Sequence, residues 1–379
     1  MKYIDKLLQG AEVEWTTLGD TRFIEIANNN RKPVKSSNRT IGNIPYYGAN
    51  NIQDYVNGYT HNGTYILVAE DGTASVENYS IQWAVGKFWA NNHVHVLRGV
   101  GFIESRFIFH YLRTVNFIPF LTGGERAKLT KRKLQEIPIP ILCPNNPTKS
   151  LEIQRKLVEV LDKFTELEAE LEAELDCRKR QYEYYRNKLL AFNMLNTPPE
   201  KLNNLTVKTL EEVAEIKRGR RLVRKELSEK GRYAVFQNSM TPLGFYDKSN
   251  VGGDTTFIIS AGAAGEVGYS SVNFWAADDI YYFIPITTIC SKYLYHFLLT
   301  KQPTIKGQVR RASVPRLAKN AFAKIKIPIP PLSEQQRIVS ILDKFDTLTS
   351  SISEGLPKEI ELRRKQYEYY REQLLSFRH

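Results

Sequence analysis

The sequence is poor in cysteine and has no long apolar segment. Its 379 residues contain three cysteines, Cys143, Cys177 and Cys290. An odd number of widely separated cysteines fits neither a disulfide framework nor the spacing of a zinc knuckle, so we interpret them as reduced thiols. The chain lacks a run of about 18 apolar residues, which a membrane span requires, and its N-terminus lacks the apolar core of a signal peptide. We therefore expect a cytoplasmic protein with no membrane partner.

Acidic residues are outnumbered by basic ones. The chain has 53 lysines and arginines against 41 aspartates and glutamates, which gives a formal net charge of +12. A surplus of this kind favours a polyanionic partner, which is either a nucleic acid or an anionic membrane surface.

Motifs for catalysis are also missing. There is no GxxxxGK[ST] loop for nucleotide phosphates. The glycines of Gly262–Gly268 suggest a phosphate loop, but the corresponding segment of the first half does not share them, so a turn is the better interpretation. Asn196–Glu200 is faintly similar to the NPPY loop of amino-methyltransferases, yet it lacks the aromatic residue that would hold a flipped base. His93 and His95 could bind a metal from one strand face, but the second half has no histidine there. We predict no catalytic residue, no bound cofactor and no metal site.

The sequence contains an internal repeat. QYEYYRNKLLAF at Gln181–Phe192 is matched by QYEYYREQLLSF at Gln366–Phe377, 185 positions later. The tetrapeptide LDKF occurs at Leu161–Phe164 and at Leu342–Phe345, and each copy follows a proline-rich strand pattern of the IPIP type. Three landmarks in the same order indicate a tandem duplication. Two copies in one chain can form a pseudo-twofold object, and duplex DNA is a natural twofold partner for a basic protein.

The repeat divides the chain into four parts, residues 1–150, 151–195, 196–332 and 333–379. Residues 1–150 and 196–332 contain short runs of β-branched and aromatic residues bounded by Asn and Gly, which predict strands and turns. We call these the first and second blocks. In the other two parts, apolar residues recur at three- and four-residue steps, which predicts long helices with a coiled-coil seam.

Two local signals refine the second helical region. Ser333 to Gln336 has the pattern of a capping box, and Gly355–Pro357 is expected to break or kink the helix. The predicted fold class is therefore α+β. Two mixed α/β blocks are joined by two long antiparallel coiled-coil helices, and the whole forms a pseudo-twofold internal repeat.

Basic residues cluster at matching places in both blocks, after the first strand and before the IPIP strand. We interpret these clusters as phosphate contacts, while the alternative is a solvated charged surface. Nearby Asn and Gln residues could read adenine or simply form turns. The candidate DNA-binding residues are Lys32, Lys35, Arg39, Arg126, Lys128 and Lys131 in the first block and Lys217, Arg218, Arg220, Arg221, Arg224, Lys225, Arg310 and Arg311 in the second.

These motifs resemble those of a known family. QRKLVEVLDKF at 154–164 and its counterpart at 335–345, each following an IPIP strand, are similar to the specificity subunits of type I restriction-modification systems. GKFWANNHVHVL at 86–97 resembles one subtype of the target recognition domains of that family. The resemblance extends over essentially the whole chain.

The resemblance implies a division of labour. Each block would be a target recognition domain that reads one half of a bipartite site in double-stranded DNA. The helical regions would set the distance between the half-sites and dock two methyltransferase subunits, through which restriction subunits would join. S-adenosylmethionine, Mg and ATP would be bound only by those partners, because the specificity subunit has no catalytic centre. The seam and docking residues would be Leu157, Leu161, Phe164, Tyr182, Tyr185, Ile338, Leu342, Phe345, Tyr367 and Tyr370.

Two other interpretations stay open at this point. A self-contained DNA methyltransferase or nuclease would need a cofactor loop or a metal–carboxylate cluster. A coiled-coil scaffold that does not bind DNA would instead present its blocks to protein or carbohydrate.

Overall fold

The structure is a computed structural model that describes residues 6, 12–123, 127–192, 205–228, 231–310, 313–351 and 353–377. The chain divides into a first unit, Met1–Leu171 with Ile360–His379, and a second unit, Glu172–Glu359. Each unit therefore combines one block with segments of both helical regions. The four-part division of the sequence cuts the chain differently and stays a prediction. Segment 196–200, Arg126 and Arg311 lie outside the described residues.

The first block is built on a six-stranded sheet with the order β2-β7-β5-β6-β3-β4. The central strand β5 has a continuous apolar run, and Ile66, Leu67 and Val68 are fully buried, as expected for a strand covered on both faces. The strands of this block are β1 (Val13–Thr17), β2 (Ile24–Ile26), β3 (Ile41–Tyr47), β4 (Ile52–Val56), β5 (His61–Ala69), β6 (Ile81–Ala90), β7 (Val94–Gly99) and β8 (Pro138–Leu142), and its helices are α1 (Ser105–Leu112) and α2 (Lys131–Gln135).

The second block repeats this topology. Its sheets have the orders β10-β16-β13-β14 and β12-β11-β15, so that β14 and β15 together take the place of β6. The predicted duplication is thereby confirmed. The strands are β9 (Thr206–Thr209), β10 (Ala214–Arg218), β11 (Tyr233–Phe236), β12 (Gly244–Tyr246), β13 (Thr255–Ile259), β14 (Val267–Ser270), β15 (Trp275–Ala276), β16 (Ile280–Pro285) and β17 (Lys326–Ile329), and the helices are α4 (Leu210–Val213), α5 (Ser291–Gly307) and α6 (Asn320–Ala323).

Within the described residues, each IPIP segment forms a strand that pairs with one other strand. β8 pairs with β1, and β17 pairs with β9, each in an antiparallel two-stranded ribbon. Proline lacks the N–H that a central strand would need, so a ribbon of this kind tolerates it. Because side chains alternate along a strand, the isoleucines between the prolines, such as Ile139 and Ile141, enter the core of the block.

The helical regions differ from each other. The first is one helix of 44 residues, α3 (Pro147–Leu190), whereas the second consists of α7 (Leu332–Ser350) and α8 (Leu356–Leu375). The predicted break is confirmed, because Gly355 has a φ of +82° and a Cβ there would lie 2.5 Å from the carbonyl oxygen of Thr347. The predicted serine cap is wrong: the helix begins at Leu332, and Pro331 occupies the cap position without a side-chain hydrogen bond.

Each unit pairs the LDKF segment of one helical region with the QYEYYR segment of the other. In the first unit, Tyr367 and Tyr370 of α8 lie with ring centroids 6.3 and 5.4 Å from that of Phe164 in α3. The guanidinium of Arg364 forms an ion pair with Glu168, so the two helices run antiparallel there.

The second unit has the equivalent pairs. Phe345 of α7 lies 6.1 Å from Tyr182 and 5.6 Å from Tyr185 of α3, measured between ring centroids. The apolar residues of the predicted helical seam have the expected spacing, but some of them pack against a block. Leu157 and Leu161 join the core of the first block, and Ile338 and Leu342 join that of the second, because each helix begins on the block that precedes it.

Candidate nucleic-acid interface

A tryptophan in each block holds the loop that follows the first strand of its main sheet. Trp89 donates a hydrogen bond of 2.7 Å from Nε1 to the carbonyl oxygen of Lys32, and Trp275 donates one of 2.9 Å to that of Arg220. The amides of Lys32 and Arg220 donate in turn to the carbonyl oxygens of Ala90 and Ala276, at 3.0 and 2.9 Å. Lys32 and Arg220 therefore occupy equivalent positions, and both side chains are exposed.

A second loop is closed in the same way in both blocks. The backbone groups of Thr122 and Lys128 exchange two hydrogen bonds of 2.8 Å, and those of Arg310 and Arg316 exchange two of 2.9 and 3.2 Å. Each closed loop encloses five residues. The predicted contacts Arg126 and Arg311 fall within these loops but outside the described residues.

Glu70 connects the two loops of the first block. Its carboxylate lies 2.6 Å from Nη1 of Arg31 and 3.1 Å from Nζ of Lys128. Burial raises the pKa of Glu70. Hydrogen bonds from Arg31 and Lys128 lower it by more, so the net pKa lies below the ordinary value. The structure thus brings together the clusters predicted around Lys32 and Lys128. Sequence reasoning missed Glu70, although an acidic pair directly after the most apolar strand was a usable signal.

The two histidines considered as metal ligands have other roles. His95 is buried, and its ring nitrogens lie 2.9 Å from Nδ2 of Asn28 and 2.7 Å from the carbonyl oxygen of Leu129. Burial lowers its pKa, which favours the neutral ring. His93 instead pairs with Asp71. Among the residues that the structure describes, no three His, Cys, Asp or Glu side chains are grouped as a metal site would require.

The predicted basic residues fall into two groups. Eight are exposed and have no acidic partner in the described part of the chain, so their charges are available to a ligand. Four others are engaged within the protein. The exposed group is Lys32, Lys35, Lys131, Arg220, Arg221, Arg224, Lys225 and Arg310, and the engaged group is Arg39, Lys128, Lys217 and Arg218.

The engaged residues support the loops that carry the exposed ones. Arg39 lies 4.1 Å above the ring of Tyr46 and 3.3 Å from Asp54, which fixes the end of the first loop. Arg218 donates a hydrogen bond of 2.6 Å from Nε to the carbonyl oxygen of Asp278. Contact of these residues with DNA stays a prediction.

Gly219 allows the second basic cluster to form a turn. A Cβ at this position would lie 2.1 Å from the carbonyl oxygen of Ala277, so only glycine lets the loop approach the sheet so closely. Strand β10 ends at Arg218, and a single 3₁₀ turn follows at Arg224–Glu226. The basic side chains therefore project from an irregular loop, as the sequence predicted.

None of the helices in the described part of the chain has the length and apolar composition that a bilayer crossing requires.

Known proteins resemble the chain along its whole length. A putative type I restriction enzyme specificity subunit of Haemophilus influenzae is 46% identical, over 99% of this chain and 98% of the relative. The specificity subunit of a type I restriction enzyme of Escherichia coli is 33% identical, over 100% of this chain and 97% of the relative. The crystal structure of the type I S subunit from M. genitalium shares the fold, with a TM-score of 0.67 at 18% identity over 98% of both chains.

The family model described as the type I restriction modification DNA specificity domain matches twice, at residues 12–176 and 203–362. Each match contains most of one block, with its two basic loops, and the first part of the helical region that follows. The two matches thus coincide with the internal repeat and account for most of the sequence. This chain belongs to the family of type I restriction-modification specificity subunits and carries its DNA specificity domain twice.

Proposed function

We propose that this protein recognises a bipartite DNA target and that each block reads one half of it. The observation that carries the proposal is that the two blocks hold equivalent loops in the same way but present different side chains on them. Trp89 and Trp275 hold equivalent loops, yet one presents Lys32 and the other Arg220. Exposed lysine and arginine position DNA through its phosphates, and the diverged neighbouring side chains supply the different base contacts of the two halves.

The second part of the proposal concerns partners. The relatives are named as subunits of restriction enzymes, which supports assembly with other chains. We assign methylation and cleavage, with S-adenosylmethionine, Mg and ATP, to methyltransferase and restriction subunits, and no catalysis to this chain. The helical repeat supports two copies of the methyltransferase, because Tyr184 and Tyr369 are 58% and 59% exposed at matching positions. Two exposed aromatic residues in equivalent surroundings suit two identical partners.

The test is to co-express the chain with a type I methyltransferase subunit in a host without other methylation and to sequence the methylated bases. We expect one bipartite motif with a fixed gap, and no methylation when either chain is omitted. A contiguous motif, or methylation by this chain alone, would contradict the proposal.

A further inference from the structure

A buried histidine in the first unit joins three helices. His110 of α1 is fully buried. Its Nε2 atom lies 2.7 Å from Oδ1 of Asp162 in α3, and its Nδ1 atom lies 3.0 Å from the hydroxyl of Tyr367 in α8. Asp162 also accepts a hydrogen bond of 2.7 Å from Nε of Arg106. We call His110, Asp162 and Tyr367 the first clamp.

The second unit contains the same arrangement. His296 of α5 is fully buried, with Nε2 3.0 Å from Oδ1 of Asp343 in α7 and Nδ1 3.2 Å from the hydroxyl of Tyr182 in α3. Lys292 takes the place of the arginine, with Nζ 2.6 Å from Oδ2 of Asp343. We call His296, Asp343 and Tyr182 the second clamp. The blocks have diverged in their loops but retain this polar geometry in both copies.

The hydrogen bonds place a proton on Nε2 of each ring, because a carboxylate can only accept. Where the ring is neutral, Nδ1 accepts from the phenolic O–H. In the first clamp, burial lowers the pKa of His110 and so favours the neutral ring. Burial raises the pKa of Asp162. Hydrogen bonds from His110 and Arg106 lower it by more, so the net pKa lies below the ordinary value and the carboxylate stays charged. A neutral ring with both nitrogens bonded has one orientation.

Each clamp is connected to the DNA-facing loops of its own block. In the first block, α1 packs on β5, β6 and β7, and Glu70 at the end of β5 holds both basic loops. In the second block, α5 packs on β13, β14 and β16. Ser260, directly after β13, accepts a backbone hydrogen bond of 2.8 Å from Leu317 beside the second loop. The sheet that carries the basic loops rests on the helix that bears the clamp histidine. The orientation of that helix therefore determines where the loops lie relative to the two long helices that complete the clamp.

We propose that the clamps are positioning elements for DNA recognition and that they act crosswise. Tyr367, near the C-terminus, positions the first block, and Tyr182, in the central helix, positions the second. This inference rests on the proposed function, since it assumes that each block reads one half of the target. Neither tyrosine touches DNA in this scheme.

The test compares Tyr367→Phe with Tyr182→Phe in the assembled complex. Phenylalanine keeps the ring and its stacking but removes the hydroxyl. The half-site of each block is first assigned by exchanging the second block for that of a relative. Methylated fractions are then sequenced at genomic sites with the complete target and at sites with one altered base in either half.

We expect Tyr367→Phe to raise methylation at sites altered in the first half about two- to tenfold, relative to complete sites, which is the range for one lost hydrogen bond. At sites altered in the second half, the ratio of methylation to that at complete sites should stay at its wild-type value. Tyr182→Phe should give the reverse pattern.

The chain offers matched controls for both variants. Tyr370 and Tyr185 stack on the same phenylalanines, and their hydroxyls make no hydrogen bond among the described residues. Tyr370 and Tyr185 are also predicted docking residues, but weaker docking would lower methylation at complete and altered sites alike. Tyr370→Phe and Tyr185→Phe should therefore leave both ratios unchanged. Thermal unfolding of each complex shows whether a variant has lost its fold. If Tyr367→Phe has done so, His110→Gln is a second variant with the same expected half-site effect, because glutamine can still donate to Asp162.

Three results would overturn the inference. Tyr367→Phe could raise methylation equally at sites altered in either half, or it could raise methylation at sites altered in the second half. Alternatively, both clamp variants could match their controls. A wild-type complex that methylates no bipartite motif would refute the proposed function instead, so the two failures are distinguishable.

Discussion

At the scale of single residues, the basic loops depend on a few side chains that hold the loop backbone in place. Trp89, Trp275 and Glu70 make the hydrogen bonds and ion pairs that place the loops. The eight exposed cations grouped above have no acidic partner among the described residues, so an anionic ligand can neutralise them without breaking an ion pair.

Replacing Arg220 and Arg221 together by alanine should weaken binding to specific and random DNA about equally, because phosphate contacts carry no sequence information. The slope of log affinity against log salt should flatten by roughly two, since about 0.9 counterion is released for each phosphate neutralised. Fluorescence anisotropy at several salt concentrations measures this slope. Lys217→Ala is the control, because its Nζ lies 3.0 Å from Glu215 and its charge is already paired. An unchanged slope with a lost preference for one base would show that these arginines read bases instead.

Replacing Gly219 by alanine should lower the free energy of unfolding of the second unit by about 1–3 kcal/mol, as for other strained or overpacked positions. The added Cβ would meet the carbonyl oxygen of Ala277 at 2.1 Å, and backbone cannot easily move aside. Gly307→Ala is the matched control, because a Cβ there meets nothing within 4 Å at the end of α5. Urea unfolding of both variants checks the prediction, and equal stabilities would contradict it.

At the scale of elements, a buried glutamine connects each helix to the block that precedes it. Oε1 of Gln335 accepts from the amide of Cys290 at 2.9 Å, and Nε2 donates to the carbonyl oxygens of Thr288 and Pro330 at 2.9 and 2.8 Å. Gln154 makes the equivalent bonds in the first unit, to Glu104 and Phe102.

Gln335→Leu should lower the free energy of unfolding by about 2–4 kcal/mol, because it removes the partner of one buried and two half-buried backbone groups. Gln336→Leu, at the adjacent exposed position, should change it by less than about 0.5 kcal/mol. Denaturant midpoints of the two variants give the comparison. Equal destabilisation by the two variants would mean that a leucine anywhere in this helical turn lowers the stability and that the buried amide of Gln335 makes no specific contribution.

The elements also show what could be predicted from sequence. The IPIP strands, the helical regions and the break at Gly355 follow from local rules of spacing and backbone geometry. The segment Ser333–Gln336 was assigned to a capping box, and the buried Gln335 within it was missed, because a sequence pattern does not reveal which side chain is buried. The sheet order and the division of one strand into β14 and β15 depend on pairing between distant segments, which a single sequence does not encode locally. The basic loops were located, but Glu70, which joins two of them, was not.

At the scale of the whole molecule, the C-terminal helix belongs to the first unit, although it follows the second block in sequence. Tyr367, Leu374 and Leu375 join the core of the first block, and the ring of Phe377 lies 6.1 Å from that of Phe107. The second unit draws its corresponding residues, Tyr182 and Leu190, from α3.

Truncating the chain after Glu359 should therefore destabilise the first unit and spare the second. Hydrogen exchange measured by mass spectrometry should show faster exchange in β5–β7, while β13 and β16 keep their protection. A peptide covering 353–377, added in excess, should restore protection in the first block. Loss of protection in the second block alone would contradict this assignment.

The exchange of helical segments between units has a consequence for descent. A chain with a single repeat would have a block, an LDKF segment and a QYEYYR tail, but its tail could complete a block only in another copy of itself. Such an ancestor would have functioned as a homodimer, and its DNA site would have been a palindrome. Fusion of two such genes would keep the contacts between block and tail within one chain and would free each block to acquire mutations separately. The asymmetry between Lys32 and Arg220, in otherwise equivalent loops, is the kind of difference that this freedom produces.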